Sequence, residues 1–258
     1  MYNEINYNVN QEKMNSFKKN TNYSINFHPK KRKNIDIKFL IFHYTGMKSE
    51  IAALKKLTNI QSQVASHYFI KKNGEVLTLV PDCYVAWHAG ISAWKNFTSL
   101  NKNSIGIEIS NPGHQFGYKK FSKKQINSLI RLSKFLIKKY KIKKNNILGH
   151  SDIAPDRKKD PGEKFPWKIM SKKKIGIWHN LNSMKLKKFR RKKCNKKSLN
   201  KFTNNLLRIG YSSNNQNKIS KSKYITFLIK SFQRRYRPEL INGKIDHECL
   251  LISENLTK

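Results

Sequence analysis

Short apolar runs recur through the middle of the chain, each bounded by polar residues or glycine. Their length and their content of Ile, Val, Leu and Phe are typical of buried strands. The predicted strands lie at 38–44, 67–71, 75–80, 105–109 and 146–148. Asn73 and Gly74 separate the second strand from the third, and an Asn-Gly pair supplies the positive φ angles of a tight turn. We therefore expect these two strands to form a hairpin.

Two other segments show the 3.6-residue period of amphipathic helices. In 49–58 the apolar side chains share one face, and Ser49 is placed as a possible N-cap. A longer helix is predicted at 122–140, where apolar residues make a broad face. Because strands alternate with helices, we expect an α/β domain with a central mixed β-sheet flanked by helices. Functional sites of such sheets usually lie just beyond the strand ends.

The pattern changes toward both ends of the chain. Residues 1–35 are polar and rich in Asn and Lys, which predicts a loose lead-in to a domain at 36–180. A basic run at 181–197 has few apolar residues and indicates a linker, with an anchor on an anionic surface as the alternative. Helical segments return at 198–258, which we interpret as a small all-α module.

A length of 258 residues suits one ordinary domain and a small one, and a hydrophobic fraction of 38% is enough for a core. No run approaches the roughly 18 apolar residues of a membrane span, so we expect no transmembrane segment. The polar start of the sequence lacks the apolar region of a secretory signal. Location is therefore open between the cytoplasm and another route out of it, and we expect a monomer.

The formal net charge of +39 is extreme. It indicates either a polyanionic partner or a composition that is simply rich in lysine. Lys and Asn are spread along the whole chain, which favours the compositional explanation. Aromatic residues do not alternate with basic ones as in a single-strand-binding groove, so we expect no specific nucleic-acid partner. The three cysteines are widely spaced and predict no disulfide framework.

Two histidines and one aspartate stand at the ends of separate segments. His43 closes the first predicted strand, His150 follows the last one, and Asp160 lies in the loop beyond it, before Pro161 and Gly162. Each residue alone is more often structural than a ligand. Together, two imidazoles and one carboxylate match the three protein ligands of a catalytic zinc that leaves its fourth position to water. We therefore predict a Zn²⁺ site and a hydrolase.

Glu108 and Lys158 are candidates for the chemistry around that metal. Glu108 interrupts the apolar strand 105–109, and a carboxylate in such a place is costly unless it is paired or used. We expect it to take a proton from the catalytic water, with simple exposure to solvent as the alternative. Lys158 lies two residues before Asp160. It is either near a developing oxyanion or one of many surface lysines.

Trp87 and His88 are followed by a small residue and a glycine. An aromatic side chain, a hydrogen-bonding ring and a flexible backbone together are typical of a groove for a polar ligand. We include Tyr68 in this predicted substrate-binding set. His67, its neighbour, is equally well explained as a core histidine.

Five separated blocks of the sequence resemble one known family. The blocks are His43-Tyr44-Thr45, Ser66-His67-Tyr68-Phe69-Ile70, Trp87-His88-Ala89-Gly90, Asn103-Ser104-Ile105-Gly106-Ile107-Glu108 and Gly149-His150-Ser151-Asp152-Ile153-Ala154-Pro155. In order and spacing they are similar to the zinc-dependent N-acetylmuramoyl-L-alanine amidases of the amidase-2 type, over roughly residues 37–178. Within that family the chain looks closest to the AmiD branch. Its tail, 232–246, resembles the peptidoglycan-binding module of that branch, though over a shorter stretch.

The resemblance implies an amidase-2, peptidoglycan-recognition-like fold and a set of residue roles. It implies that His43, His150 and Asp160 bind zinc, that Glu108 acts on the water, and that Lys158 stabilises the tetrahedral intermediate. The implied substrate is peptidoglycan or its muropeptides, cut at the amide between N-acetylmuramic acid and L-alanine. The alternative is a non-catalytic peptidoglycan-recognition protein, but such proteins typically lack a zinc ligand. Relatives of the AmiD branch usually carry a lipoprotein export signal and act in the periplasm or at the outer membrane, and no such signal is visible here.

Overall fold

The computed structural model describes residues 23–212 and 219–258. The strands in this part are β1 Phe27–His28, β2 Phe39–Tyr44, β3 Tyr68–Ile70, β4 Val76–Thr78, β5 Val85–Ala86, β6 Ala93–Trp94, β7 Phe97–Thr98, β8 Ser104–Ile109 and β9 Ile147–Gly149. The α-helices are α1 Glu50–Thr58, α2 Lys123–Tyr140, α3 His150–Ile153, α4 Trp167–Lys172, α5 Ser183–Lys187, α6 Lys196–Ile209, α7 Lys221–Tyr236 and α8 His247–Leu256.

A five-stranded sheet in the order β4-β3-β8-β2-β9 forms the centre of the fold. β3 and β4 are antiparallel, and Gly74 in their turn has a φ of +87°. The other neighbouring pairs are parallel, so the sheet is mixed, as predicted. β2 lies between β8 and β9, and its register places His43 opposite Glu108. The C-terminal ends of these three strands therefore meet at one edge of the sheet.

One face of the sheet is covered by α2. Ser122 caps this helix by accepting a hydrogen bond from the Gln125 backbone N–H, and the Gln125 side chain accepts one from the Ser122 N–H. This capping box satisfies two helix-end donors and fixes where the helix begins. The packed residues on this side are apolar, among them Leu40, Phe42, Ile105, Ile107, Leu129, Leu132 and Leu136. This side follows the predicted pattern closely.

The opposite face has two separate covers. Near β3 and β4, Phe69 and Leu77 pack against Ala53 and Leu57 of α1. Near β2 and β9, the sheet packs against the C-terminal helices in one cluster that includes Phe39, Ile41, Leu148, Phe202, Leu206, Leu228 and Phe232. His43 follows Phe39 and Ile41 on this face, at the strand end between the two covers. The fold therefore leaves a gap in its helical cover where the predicted ligands lie.

Helix α7 also contacts α3, the short helix that begins at His150. Asp152 and Arg235 are both almost fully buried, and their side chains form an ion pair at 2.5 Å. Tyr211 donates a second hydrogen bond to Asp152 at 2.8 Å, and the Ser231 hydroxyl donates to the Ser151 carbonyl at 2.6 Å. The division into 36–180 and 198–258 stays a prediction, but in the structure the two segments share a core and a buried ion pair.

The segments predicted as lead-in and linker are packed where the structure describes them. Ser24 and Asn26 are buried, and the Asn26 amide donates to two backbone carbonyls at 2.9 Å. This packing differs from the loose lead-in expected over 1–35, of which residues 1–22 lie outside the described part. The basic run at 181–197 contains α5, and Arg190 pairs with Glu248 at 2.6 Å.

Within residues 23–212 and 219–258, no helix combines the length and the apolar composition needed to cross a membrane. Cys83, Cys194 and Cys249 are free thiols, in agreement with the absence of a disulfide pattern in the sequence.

Candidate active site

The structure brings His43, His150 and Asp160 together at the edge where β2 and β9 end. Nδ1 of His43 and Nδ1 of His150 are 3.1 and 3.0 Å from Oδ2 of Asp160, and the two nitrogens are 2.9 Å apart. All three side chains are buried. They form a group that could hold one metal ion.

The loop that carries Asp160 folds back onto the start of α3. The Ser151 N–H donates to the backbone carbonyl of Asp160 at 2.8 Å. A Cβ at Gly149 would lie 2.6 Å from Cδ of Pro161, so a side chain there would push this loop away. A glycine at the end of β9 is therefore what lets the carboxylate reach the two imidazoles.

The donor atoms fit a divalent cation. Nε2 of His150 lies 3.0 Å from the Ala89 carbonyl, which can only accept, so Nε2 carries the hydrogen of the neutral ring. Nδ1 of His150 then has a lone pair directed at Oδ2 of Asp160, and a cation between these two acceptors satisfies both. A buried site with two imidazoles and one carboxylate is the donor set of a catalytic metal with an open position.

The ionisation states agree with that assignment. Burial and the neighbouring His150 lower the pKa of His43 to about 4, so its ring is neutral at ordinary pH. Burial alone would raise the pKa of Asp160, but His150 and His43 outweigh it and hold that pKa well below its usual range. Neutral imidazoles and an ionised carboxylate are the forms that bind a metal.

Glu108 lies beside the triad, opposite His43 in the parallel pairing of β2 and β8. Its Oε2 atom is buried and has no hydrogen-bond partner among the described residues. Burial, and then the charge of Asp160, raise the pKa of Glu108 to about 8. A carboxyl oxygen buried without a partner is unfavourable for stability, and such groups concentrate at functional sites.

These groups open into a pocket of about 370 Å³. Its lining includes Trp87, His88, Glu108, His150, Lys158 and Asp160. Lys56 and Lys159 also line the pocket, so it carries more positive charge than the candidate residue Lys158 would give it alone. Trp87 is the most exposed of the predicted site residues, at 36%. The structure therefore places most of the predicted set around one cavity.

Tyr68 is not among the residues that line this pocket, and its contact with substrate stays a prediction. It pairs with Ile107, so its side chain points to the α2 face of the sheet, away from Glu108. There it is buried, and its hydroxyl donates to Asp82 at 2.8 Å. Because side chains alternate across a strand, Phe69 rather than Tyr68 lies on the face that carries the pocket.

Sequence reasoning missed a hydrogen-bonded set at the pocket edge. The Tyr44 hydroxyl is 2.8 Å from Nδ1 of His114, and Nε2 of His114 is 3.0 Å from Glu163. Tyr44 and His114 both line the pocket. His114 follows an Asn-Pro-Gly turn, a signal for a loop but not for the place where that loop packs.

Comparisons with known proteins agree with this geometry. A sequence profile described as N-acetylmuramoyl-L-alanine amidase matches residues 33–163. The N-acetylmuramoyl-L-alanine amidase AmiD of Escherichia coli (strain K12) is 37% identical to the chain, over 85% of this chain and 82% of AmiD. The chain belongs to the N-acetylmuramoyl-L-alanine amidase family. This confirms the resemblance to the amidase family and with it the prediction of an amide hydrolase, while the peptidoglycan-binding role of the tail stays a prediction.

Other relatives of the family align over less of the chain. The 1,6-anhydro-N-acetylmuramyl-L-alanine amidase AmpD of Citrobacter freundii is 36% identical over 38% of this chain and 50% of AmpD. The similarity to AmpD therefore covers less than half of the length that the similarity to AmiD covers.

Solved structures of the family confirm the fold. E. coli AmiD in complex with the substrate anhydro-N-acetylmuramic acid-L-Ala-D-gamma-Glu-L-Lys matches with a TM-score of 0.73 and 35% identity, over 86% of this chain and 88% of that one. Pseudomonas aeruginosa AmpDh3 in complex with anhydromuramic pentapeptide matches with a TM-score of 0.72 and 29% identity, over 88% and 92%. The high coverage shows that the C-terminal helices belong to the shared architecture.

Proposed function

We propose that this amidase uses a zinc ion to cut the amide bond between N-acetylmuramic acid and L-alanine in peptidoglycan fragments. The observation that carries the proposal is the buried group of His43, His150 and Asp160, with the unpaired carboxyl of Glu108 beside it. A non-catalytic recognition protein would have no use for Glu108 in this position. The intact ligand set and the family membership both favour catalysis.

The proposed mechanism gives each side chain one task. His43, His150 and Asp160 would hold the metal, which would supply Lewis acidity toward the scissile carbonyl and a water molecule. Glu108 accepts the proton of the attacking water and later delivers one to the departing L-alanine nitrogen. The Lys158 ammonium stabilises the negative charge that develops on the carbonyl oxygen.

The proposed substrates are muropeptides, with anhydro-muropeptides foremost. E. coli AmiD and P. aeruginosa AmpDh3 have both been solved with anhydromuramyl peptides bound. Stem peptides carry carboxylates, and Lys56, Lys158 and Lys159 line the pocket here. Positive charge at the pocket favours an anionic ligand, to an extent that falls as salt rises.

We propose in addition that residues 198–258 contact peptidoglycan. An open groove in this segment is lined by Leu199, Ile225 and Ile245 together with Lys221 and Lys244. If it holds the polymer, replacing both lysines by glutamate should reduce co-sedimentation with insoluble peptidoglycan and leave the cleavage of soluble muropeptides unchanged. Equal co-sedimentation of the variant and the parent protein would contradict this proposal.

The proposed reaction is tested by incubation with purified anhydro-muropeptides followed by mass spectrometry. The protein is used as purified, after removal of metal by a chelator, and after restoration with zinc. Free stem peptide beginning with L-alanine is expected in the first and third samples and absent from the second. Release that is indifferent to the chelator would contradict the metal-dependent mechanism, and no release in any sample would contradict the amidase activity on this substrate.

A further inference from the structure

We propose that His88 and Ser104 are positioning residues that direct the lone pair of His43 Nδ1 at the metal site. The inference rests on the proposed metal-binding role of His43. It goes further by assigning a hydrogen atom to every bond in a buried chain of groups that runs from the Leu100 carbonyl to His43. The Leu100 carbonyl at one end can only accept, and this fixes the direction of each following link.

The outer end of the chain sets its direction. The Ser104 hydroxyl lies 2.6 Å from the Leu100 carbonyl, and two oxygens at that distance share a hydrogen. A carbonyl has no hydrogen to give, so the hydrogen belongs to Ser104. The Ser104 oxygen is thereby left as an acceptor toward its other neighbour.

That neighbour is Nε2 of His88, at 3.1 Å from the Ser104 oxygen. Because the oxygen accepts, Nε2 of His88 carries the ring hydrogen, and Nδ1 of His88 has a lone pair. Nδ1 of His88 lies 3.1 Å from Nε2 of His43. His43 must therefore donate through Nε2, which leaves Nδ1 of His43 with a lone pair toward Asp160 and His150.

The opposite tautomer of His43 would break every link. A hydrogen on Nδ1 of His43 would require one on Nδ1 of His88, and Ser104 would then have to donate to His88. The Ser104 and Leu100 oxygens would face each other at 2.6 Å with no hydrogen between them. In a site where His43, His88 and Ser104 are all buried, water cannot replace the lost bonds.

The surroundings hold the His88 ring in this place. A Cβ at Gly106 would collide with the ring, so glycine at that point of β8 makes room for it. The Asn101 side chain accepts hydrogen bonds from the backbone N–H groups of His88 and Ala89, at 3.0 and 2.6 Å. Alternate residues of β8 thus have related tasks: Ser104 orients His88, Gly106 accommodates it, and Glu108 faces the pocket.

Ala89, the residue after His88, orients His150, the second proposed metal-binding histidine. The carbonyl of Ala89 accepts from Nε2 of His150 at 3.0 Å, as His88 accepts from His43. Both imidazoles therefore present Nδ1 to the metal because of neighbouring residues on one loop. The Trp87–Gly90 block, predicted from sequence to bind substrate, has this orienting task at His88.

The test compares zinc affinity in two matched variants, measured by competition with a chromophoric chelator. His88→Asn places an amide oxygen where Nδ1 of histidine was, and this oxygen can accept from His43. His88→Leu has a similar branched shape but no acceptor. Removal of a hydrogen-bond partner of a metal-binding histidine typically costs about 10–100-fold in metal affinity. We expect a loss of that size in His88→Leu. In His88→Asn we expect a loss of about threefold or less, because the acceptor is kept. Equal affinity of the two variants would overturn the proposal.

A second measurement does not depend on the variants folding. Nitrogen-15 NMR of the metal-free parent protein reports which ring nitrogen of each histidine carries hydrogen. We expect His43 and His88 to carry it on Nε2, and we expect Ser104→Ala to give a mixture of tautomers at His88. Hydrogen on Nδ1 of His43 in the parent protein would overturn the proposal. If the parent protein binds no zinc, the proposed function fails, and this spectrum still decides whether the orienting chain exists.

Discussion

The two faces of the central sheet differ in what they contact. The face under α2 packs apolar side chains such as Leu40 and Phe42 against α2 and against Phe165 and Trp167. The other face has two covers, and between them Glu108, His150 and Asp160 line a pocket, with His43 buried beside them. One face contributes stability through apolar burial, whereas the other includes polar groups that must each be oriented by a partner.

The difference teaches that the candidate catalytic groups lie on only one side of the strands, at the gap between its two apolar covers. In β2, Leu40 and Phe42 face α2 while Phe39, Ile41 and His43 face the other way. A change on the α2 side should therefore alter stability with little effect on the metal, whereas loss of a ligand side chain at the gap should abolish metal binding. Variants on each face test this separation.

The largest effect is expected from a pair of variants on opposite faces. His150→Ala should abolish zinc binding and cleavage, because it removes one of three ligands. Leu132→Ala should cost about 2–5 kcal/mol of stability through the cavity it leaves. The folded fraction of Leu132→Ala should keep a full complement of zinc, measured by metal analysis. If both variants lose zinc, or if neither does, the two faces of the sheet do not differ in their effect on metal binding.

Deletion of the C-terminal cover is expected to have the next largest effect. A chain ending at Lys193 would expose Phe39, Ile41 and Leu148 and leave Asp152 without Arg235. An uncompensated buried charge and exposed core should together destabilise the sheet face that carries the site. We expect the shortened chain to lose cleavage even of small soluble muropeptides. A soluble shortened chain with full activity would show that the two segments are independent.

Glu108→Gln should reduce kcat by about 100- to 10,000-fold, the range for loss of a general base, while zinc content stays unchanged. The amide keeps the shape of the side chain but cannot accept the proton. Glu239→Gln is the matched control, since the Glu239 side chain is 57% exposed and lies outside the pocket lining. Full activity in Glu108→Gln would assign the proton transfer to another group.

The smallest effect concerns the pH dependence of stability in the metal-free protein. The pKa of Glu108 is about 8 in the folded state and 4.5 for the unperturbed group, so between these values the folded state holds a proton that the unfolded chain has lost. Stability should therefore fall as pH rises through this window. Burial also lowers the pKa of His43 from 6.5 to about 4, which makes stability rise with pH between these values. This contribution is the same in the parent protein and in Glu108→Gln.

Denaturation by urea at pH 5 and pH 8 measures this effect. Relative to Glu108→Gln, the parent protein should lose on the order of 1–2 kcal/mol of stability between these two pH values. Identical pH dependence of the two proteins would mean that Glu108 is not perturbed by its surroundings.

Local signals in the sequence predicted much of the fold. Ser49 caps the first predicted helix, Ser122 caps the second at the predicted start, and the turn at Gly74 joins the predicted hairpin. The histidines of the triad were predicted because strand ends are natural places for ligands. These features depend on neighbours within a few residues, where spacing and turn chemistry are informative.

Features that depend on distant contacts were not predictable from spacing. His88 is oriented by Ser104, 16 residues away, and Asp152 by Arg235, 83 residues away. Tyr68 lies apart from the pocket because it pairs with Ile107 and not with Glu108, a register that the sequence pattern alone does not fix. Sequence pattern identified the residue types of the site, but packing between remote segments decides which of them share it.

The central claim is that His43, His150 and Asp160 together hold the metal on which cleavage depends. The most direct measurement is a crystal structure of the zinc-restored protein with anomalous data collected on both sides of the zinc absorption edge. We expect one strong anomalous peak at about 2.0–2.2 Å from Nδ1 of both histidines and from a carboxylate oxygen of Asp160. A zinc-restored, active protein whose peak lies elsewhere, or which shows none, would contradict the account.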